Sequence, residues 1–174
     1  KEEDEVREEI KRRIEEIARL NKEIEDEIRE LIKRIHELNR EILKKVRKLI
    51  EEIEDLVRKG VPKEELRKRI EDIRRDVERL LRESEDRIRR IEERVDRLLK
   101  DSRDKIDRIK EEVKKKVDSE VLRELDELLR RIKKNSEDVA RKLKDLLRRI
   151  REDSERVAKE IRRLVEEIKK KVDK

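Results

Sequence analysis

Few residues in this chain have the types and spacing to do chemistry. His36 is the only histidine, and Asn39 follows three positions later. Together with Asp153 and Ser154 it offers the residue types of an acyl-transfer triad, in which a serine attacks, an imidazole takes its proton and a carboxylate orients the ring. Acyl transfer also needs donors aimed at the developing oxyanion and a cleft for the substrate. Continuous helices have no spare backbone amides, and a chain with one glycine has no Gly-rich elbow on which to mount a nucleophile. No catalytic residue is assigned on this basis.

Metal and nucleic-acid chemistry fare no better. The run His36-Glu37-Leu38-Asn39-Arg40 lacks the second histidine of a zincin helix, and the residue three before His36 is Lys33 rather than the glutamate of a di-iron bundle. With no cysteine there are no thiolate ligands or disulfides. No metal or cofactor is expected. Aromatic residues, on which bases stack, are absent, and acidic residues interrupt every basic cluster. Lys169-Lys170-Lys171 reads as the basic end of a helix, which favours cations near its carbonyls. Neither nucleic acid nor membrane is an expected partner: no apolar run exceeds two residues, far short of the roughly 18 needed to span a bilayer. No segment reads as a signal peptide.

What organises the chain is an 18-residue repeat. Leu66, Ile70, Ile73, Val77, Leu80 and Leu81 recur as Ser84, Ile88, Ile91, Val95, Leu98 and Leu99, followed by Ser102, Ile106, Ile109 and Val113. Eighteen residues make five turns of an unstrained helix, so the pattern implies nearly straight helices, where a seven-residue repeat would impose a left-handed supercoil. Charged residues form 62% of the chain, against about 25% in ordinary globular proteins. High charge with low hydrophobicity usually signals disorder. Here the apolar residues are almost all Ile, Leu and Val at helical spacing, which makes amphipathic helices with narrow apolar stripes. The formal charge of +6 comes from 57 basic and 51 acidic residues, interleaved as on a solvated surface.

Two breaks divide the pattern. Lys59-Gly60-Val61-Pro62 holds the only glycine and the only proline; glycine suits the left-handed residue after a helix and proline the first turn of the next. The second break, at Val117-Asp118-Ser119, is argued from phase. Positions 18 residues beyond Ile106 and Ile109 are Glu124 and Glu127, while the new stripe runs Leu122, Leu125, Leu129 and Ile132. That shift of about 200° moves the apolar face to the other side, which a tight turn capped by Asp118 or Ser119 accounts for. The expected fold is all-α: a long antiparallel up-down-up three-helix bundle forming a single domain over residues 1–174. Helix 1 is expected at about 2–59, a turn at 60–61, helix 2 at about 62–117, a turn at 118–119 and helix 3 at about 120–173.

The stripes are interrupted by polar residues at matched places: Asn21 and Asn39, Ser84 and Ser102, Ser136 and Ser154. In antiparallel helices, facing residues have numbers of constant sum. Asn39 with Ser84 and Asn21 with Ser102 both add to 123, and that value also pairs Ile10 with Val113, Ile14 with Ile109, Ile42 with Leu81 and Val46 with Val77. A sum of 238 for helices 2 and 3 pairs Ser102 with Ser136, Ser84 with Ser154, Ile109 with Leu129 and Val113 with Leu125, and sets Leu80 against Ala158 and Leu98 against Ala140. Two polar layers follow: Asn21, Ser102 and Ser136, and Asn39, Ser84 and Ser154. Donors and acceptors in each can close on one another, and a slipped register would oppose Asn to Ile, so the layers are expected to fix register as a buried Asn does in coiled coils. His36 flanks the second layer as a possible extension; its repeat positions are Ala18 and Glu54.

Taken together, these residues resemble a de novo designed helical bundle, of the parametrically generated, untwisted three-helix kind with 18-residue repeats and buried hydrogen-bond networks. The resemblance covers the whole chain and rests on the repeat, the Ile/Leu/Val core, the Glu/Lys/Arg/Asp surface, the dipole-matched helix ends and the Gly60-Val61-Pro62 loop. It implies a thermostable scaffold with no natural substrate and no natural location, soluble and cytoplasmic when expressed recombinantly. The expected state is a monomer of 21.6 kDa without partners. The competing expectation is an interaction module, spectrin-like or helix-docking and even homo-oligomeric, with Leu20, Leu38, Leu43 and Leu56 as contacts off the helix 1 seam. Spectrin-like repeats usually carry a core tryptophan, and this chain has none.

Overall fold

The computed structural model describes residues 2–174, which form three α-helices: α1 Glu2–Arg58, α2 Lys63–Lys116 and α3 Ser119–Asp173. Each begins with acidic and ends with basic side chains near its termini, as the helix macrodipole favours.

The caps follow from local chemistry. Gly60 has φ +75°, and Val61 N–H donates to Leu56 O at 3.2 Å while Gly60 N–H donates to Val57 O at 3.1 Å. This pair of bonds is a Schellman motif, and Val61 and Leu56 both pack on the same apolar cluster, which gives the motif its usual hydrophobic contact. Pro62 lies one residue before α2, where its carbonyl accepts from Glu65 N–H and Leu66 N–H at 3.1 and 3.2 Å. At the second turn Asp118 is the N-cap of α3: its Oδ1 accepts from Val121 N–H at 3.1 Å and its carbonyl from Leu122 N–H at 2.8 Å. The Asp118 amide in turn donates to Glu3 Oε1 at 2.7 Å.

The helices pack as a three-helix bundle in which two compact units can be told apart, Lys1–Glu30 with Arg90–Leu146 and Leu31–Arg89 with Leu147–Lys174. In the first, α1 contributes Ile10, Ile14 and Ile17, α2 Ile106, Ile109 and Val113, and α3 Leu125, Leu129 and Ile132 to one buried cluster. The second gathers Ile42, Val46, Ile50 and Ile53 with Leu66, Ile70, Ile73, Val77 and Leu81, and with Ala158, Ile161, Val165, Ile168 and Val172. These are Ile, Leu, Val and Ala side chains at i, i+3, i+4 and i+7 spacings, the stripe a helix needs to bury one face.

One detail departs from the repeat. Leu98 is buried and Leu99 half-buried in the first unit, whereas in the second Leu81 is buried and Leu80 half-buried. It is Leu81, not Leu80, that shares a groove wall with Ala158. Adjacent leucines lie about 100° apart on a helix, so a small rotation exchanges which of the two faces inward.

Candidate functional site

All six polar interruptions of the stripes are buried. In the first unit Asn21, 1% exposed, sits at the centre. Its Nδ2 donates to Ser136 Oγ at 2.8 Å and to Asn135 Oδ1 at 3.2 Å, and Ser102 Oγ donates to its Oδ1 at 3.2 Å. The layer thus joins α1, α2 and α3. Asn135 is a member that the stripe pattern missed, because it lies one residue off the seam and is exposed. Its signal was its rarity, as the third of only three asparagines and the immediate neighbour of Ser136.

The second unit carries the same Asn and two Ser one repeat away, eighteen positions on in α1 and α3 and eighteen back in α2, with a different outcome. Asn39 is fully buried, and its Nδ2 donates to Ser154 Oγ at 2.9 Å and to Asp153 Oδ2 at 3.3 Å. Ser84 is buried but makes no hydrogen bond to Asn39, whose Oδ1 has no donor among the described residues. The layer that the sequence closes into a three-member network is therefore bonded only between α1 and α3. Ser154 is 8% exposed where Ser136 is 2%, and it forms part of the wall of a 340 Å³ groove between α2 and α3 with Leu81, Ile88 and Ala158.

His36 does meet this layer, through Asp153. Its Nδ1 lies 3.0 Å from Asp153 Oδ2, the oxygen that also accepts from Asn39. The imidazole is 43% exposed and Asp153 23%, so the pair sits at the edge between α1 and α3. One repeat further on, the same two positions hold Glu54 and Lys171, an ordinary ion pair at 3.6 Å. One repeat earlier they are Ala18 and Asn135. Read along the repeat, His36 and Asp153 occupy an edge-pair position. The hydrogen-bond order is His36, Asp153, Asn39, Ser154, which gives the Ser154 hydroxyl an amide for a neighbour and no imidazole to take its proton.

Electrostatics outside the layers is that of paired surface helices. Arg162 donates to both Glu78 oxygens at 3.0 and 3.2 Å and holds that carboxyl below its ordinary range, while its own value rises in return. Lys144 and Asp96, at 3.1 Å, are the matching pair eighteen residues away on each helix. Lys11 and Arg7 both bind Glu124, at 2.9 and 2.8 Å, and their hydrogen bonds lower it. Glu112 is lowered in the same way by Arg13. Among the described residues no group of three or more His, Cys, Asp or Glu is placed to hold a metal ion, and no helix is long and apolar enough to cross a membrane. The four leucines off the helix 1 seam, Leu20, Leu38, Leu43 and Leu56, are half-buried; among the described residues the exposed large apolar side chain is Leu49, at 39%.

No protein-family model matches the chain, and no curated protein matches it. Among solved structures it is similar to one described as a computationally designed three-helix bundle. The two are 20% identical, the match covers 98% of this chain and 82% of that one, and the TM-score is 0.41.

Proposed function

We propose that this chain is a designed structural scaffold, a de novo helical bundle whose purpose is to hold one fold, with two polar layers selecting its register. The observation that carries the reading is the Asn21 layer, in which an amide on α1 bonds a serine on α2 and a serine on α3 inside an otherwise aliphatic core. A slipped helix would set these groups against Ile, Leu or Val, at about 1 to 3 kcal/mol for each buried group left unbonded. The layer therefore costs little in the intended register and much in the others, which is how a polar residue specifies an arrangement without adding activity. In this reading the protein is a monomer with no enzymatic activity, cofactor, nucleic-acid or membrane partner, has no natural location, and is very resistant to heat.

Light scattering at micromolar concentration with circular dichroism on heating tests it. A 21.6 kDa species that stays helical to high temperature supports the scaffold; dimers or larger assemblies overturn it. Assembly is what the second reading, a helix-docking module, predicts. That reading draws on the exposed Leu49 and the nearby half-buried Leu43, on a stretch of α1 flanked by Lys44, Arg47 and Lys48.

A further inference from the structure

Each polar layer, with the apolar layer beside it, is made of the same residue types at matching repeat positions: an Asn and an Ile on α1, a Leu pair and a Ser on α2, and a Ser, a Val and an Ala on α3. The two units pack them differently. We infer that the second unit also adopts the packing of the first, in which Leu80 turns inward, Leu81 moves out and the Ser84 hydroxyl donates to Asn39 Oδ1.

The difference between the units involves all three helices. On α2, Leu98 is buried and Leu99 half-buried in the first unit, while Leu81 is buried and Leu80 half-buried in the second. The other helices change with it: Ile24 is half-buried and Ile42 buried, Val139 buried and Val157 half-buried. The hydrogen bond follows the leucines. Ser102 donates to Asn21 Oδ1 at 3.2 Å where Leu98 faces in, and Ser84 makes no bond to Asn39 where Leu81 does. Adjacent residues stand about 100° apart on a helix, and the serine lies between the two leucines in angle, so a turn of α2 that exchanges the leucines also swings the serine. Close-packed cores move between discrete arrangements of this kind rather than deforming continuously.

The observed packing of the second unit carries a cost that the other lacks. Asn39 Oδ1 is buried and closed to water, with no donor among the described residues. Turning the amide over gives no relief, because Asp153 Oδ2 and Ser154 Oγ lie 3.3 and 2.9 Å from its Nδ2 and an ionised aspartate only accepts. The Ser84 hydroxyl is the donor at the repeat position of Ser102, and bringing it to Asn39 turns Leu80 inward. Leu81 then has somewhere to go: it borders a 340 Å³ groove with Ile88 and Ala158. Burial of Leu81 and Ile42 holds the observed packing, and the missing bond opposes it. The inference goes beyond the scaffold reading and does not depend on it.

The test is denaturant unfolding of the full chain. Leu81→Gln penalises the observed packing by burying an amide and favours the one that turns position 81 outward; Leu80→Gln does the reverse. In the parent and in Leu80→Gln, adding Ser84→Ala should leave the folding equilibrium constant nearly unchanged. In Leu81→Gln it should lower that constant roughly five- to hundredfold, the loss expected when a buried acceptor loses its donor. Equal effects of Ser84→Ala in the Leu80→Gln and Leu81→Gln backgrounds overturn the inference. If Leu81→Gln does not fold, methyl relaxation dispersion on the unaltered chain decides, since it reads exchange on the microsecond-to-millisecond scale of helix shifts. Exchange is expected at Leu80, Leu81 and Ile42 and not at Leu98, Leu99 and Ile24. Quiet methyls at Leu80 and Leu81, or equal exchange in both units, overturn it.

Discussion

Gly60 shows how a single residue can be needed for its backbone alone. At φ +75° it occupies the left-handed region, and a β-carbon added there would meet nothing within 4 Å. Any penalty for Gly60→Ala is therefore conformational, with no clash to confuse it: about 1 to 2 kcal/mol lost in chemical denaturation, with the helical signal of the folded state unchanged. Asn21 presents the opposite case, a residue that matters for its partners. Ser102→Ala removes the hydroxyl that donates to Asn21 Oδ1 and should cost about 1 to 3 kcal/mol. Changing Asn21, Ser102 and Ser136 together to Val removes donors and acceptors alike, and Asn135, being exposed, turns to water. That triple variant should unfold at the same or higher denaturant concentration than the parent. A triple variant that unfolds while Ser102→Ala is neutral would show that the three do not act as one layer.

At the level of elements, the α2–α3 break was readable because a helix cannot change its apolar face without stopping. Glu124 and Glu127 stand where continuation required apolar side chains, and Leu125, Leu129 and Ile132 are instead the buried ones. The all-helical, three-helix character was legible for the same reason: period and phase are properties of sequence. Which leucine of Leu80 and Leu81 turns inward was not, because both fit the stripe and a rotation smaller than one residue's turn chooses between them. The polar residues were legible as interruptions, but their bonding was not. Asn39 and Asn21 have identical repeat positions, yet Asn21 Oδ1 receives the Ser102 hydroxyl and Asn39 Oδ1 receives none from Ser84, a difference that the stripe pattern does not encode.

For the molecule as a whole, charge sets the sensitivity to conditions. Glu78, Glu112, Glu124, Glu127 and Glu160 all titrate below the ordinary glutamate value, each chiefly because a basic side chain donates a hydrogen bond to it. A carboxyl lowered by folding binds its proton less readily folded than unfolded. Its contribution is complete above the unfolded value and is lost as the pH falls through the lowered one. These pairs are largely solvated, so each contributes little, but protonation also leaves 57 basic side chains without counter-charges. The denaturation midpoint should hold steady from neutral pH down to about pH 5 and fall below about pH 4. The acid loss should shrink in high salt, which screens the remaining like charges; a midpoint flat to pH 2 would refute it.

The bond from the Asp118 amide to Glu3 Oε1 gives the first turn of α1 a protective duty. The carboxylate of the first turn of α1 occupies a backbone donor of the α2–α3 turn, which otherwise has only water for a partner. Exposed turns are where proteases cut, since cleavage needs the backbone pulled free into an extended form. Glu3→Ala should hasten nicking between residues 116 and 119 several-fold under limited proteolysis while leaving cleavage at the Gly60 turn unchanged. Loss of one carboxylate in the first turn of α1 would then be felt as susceptibility 115 residues away in sequence.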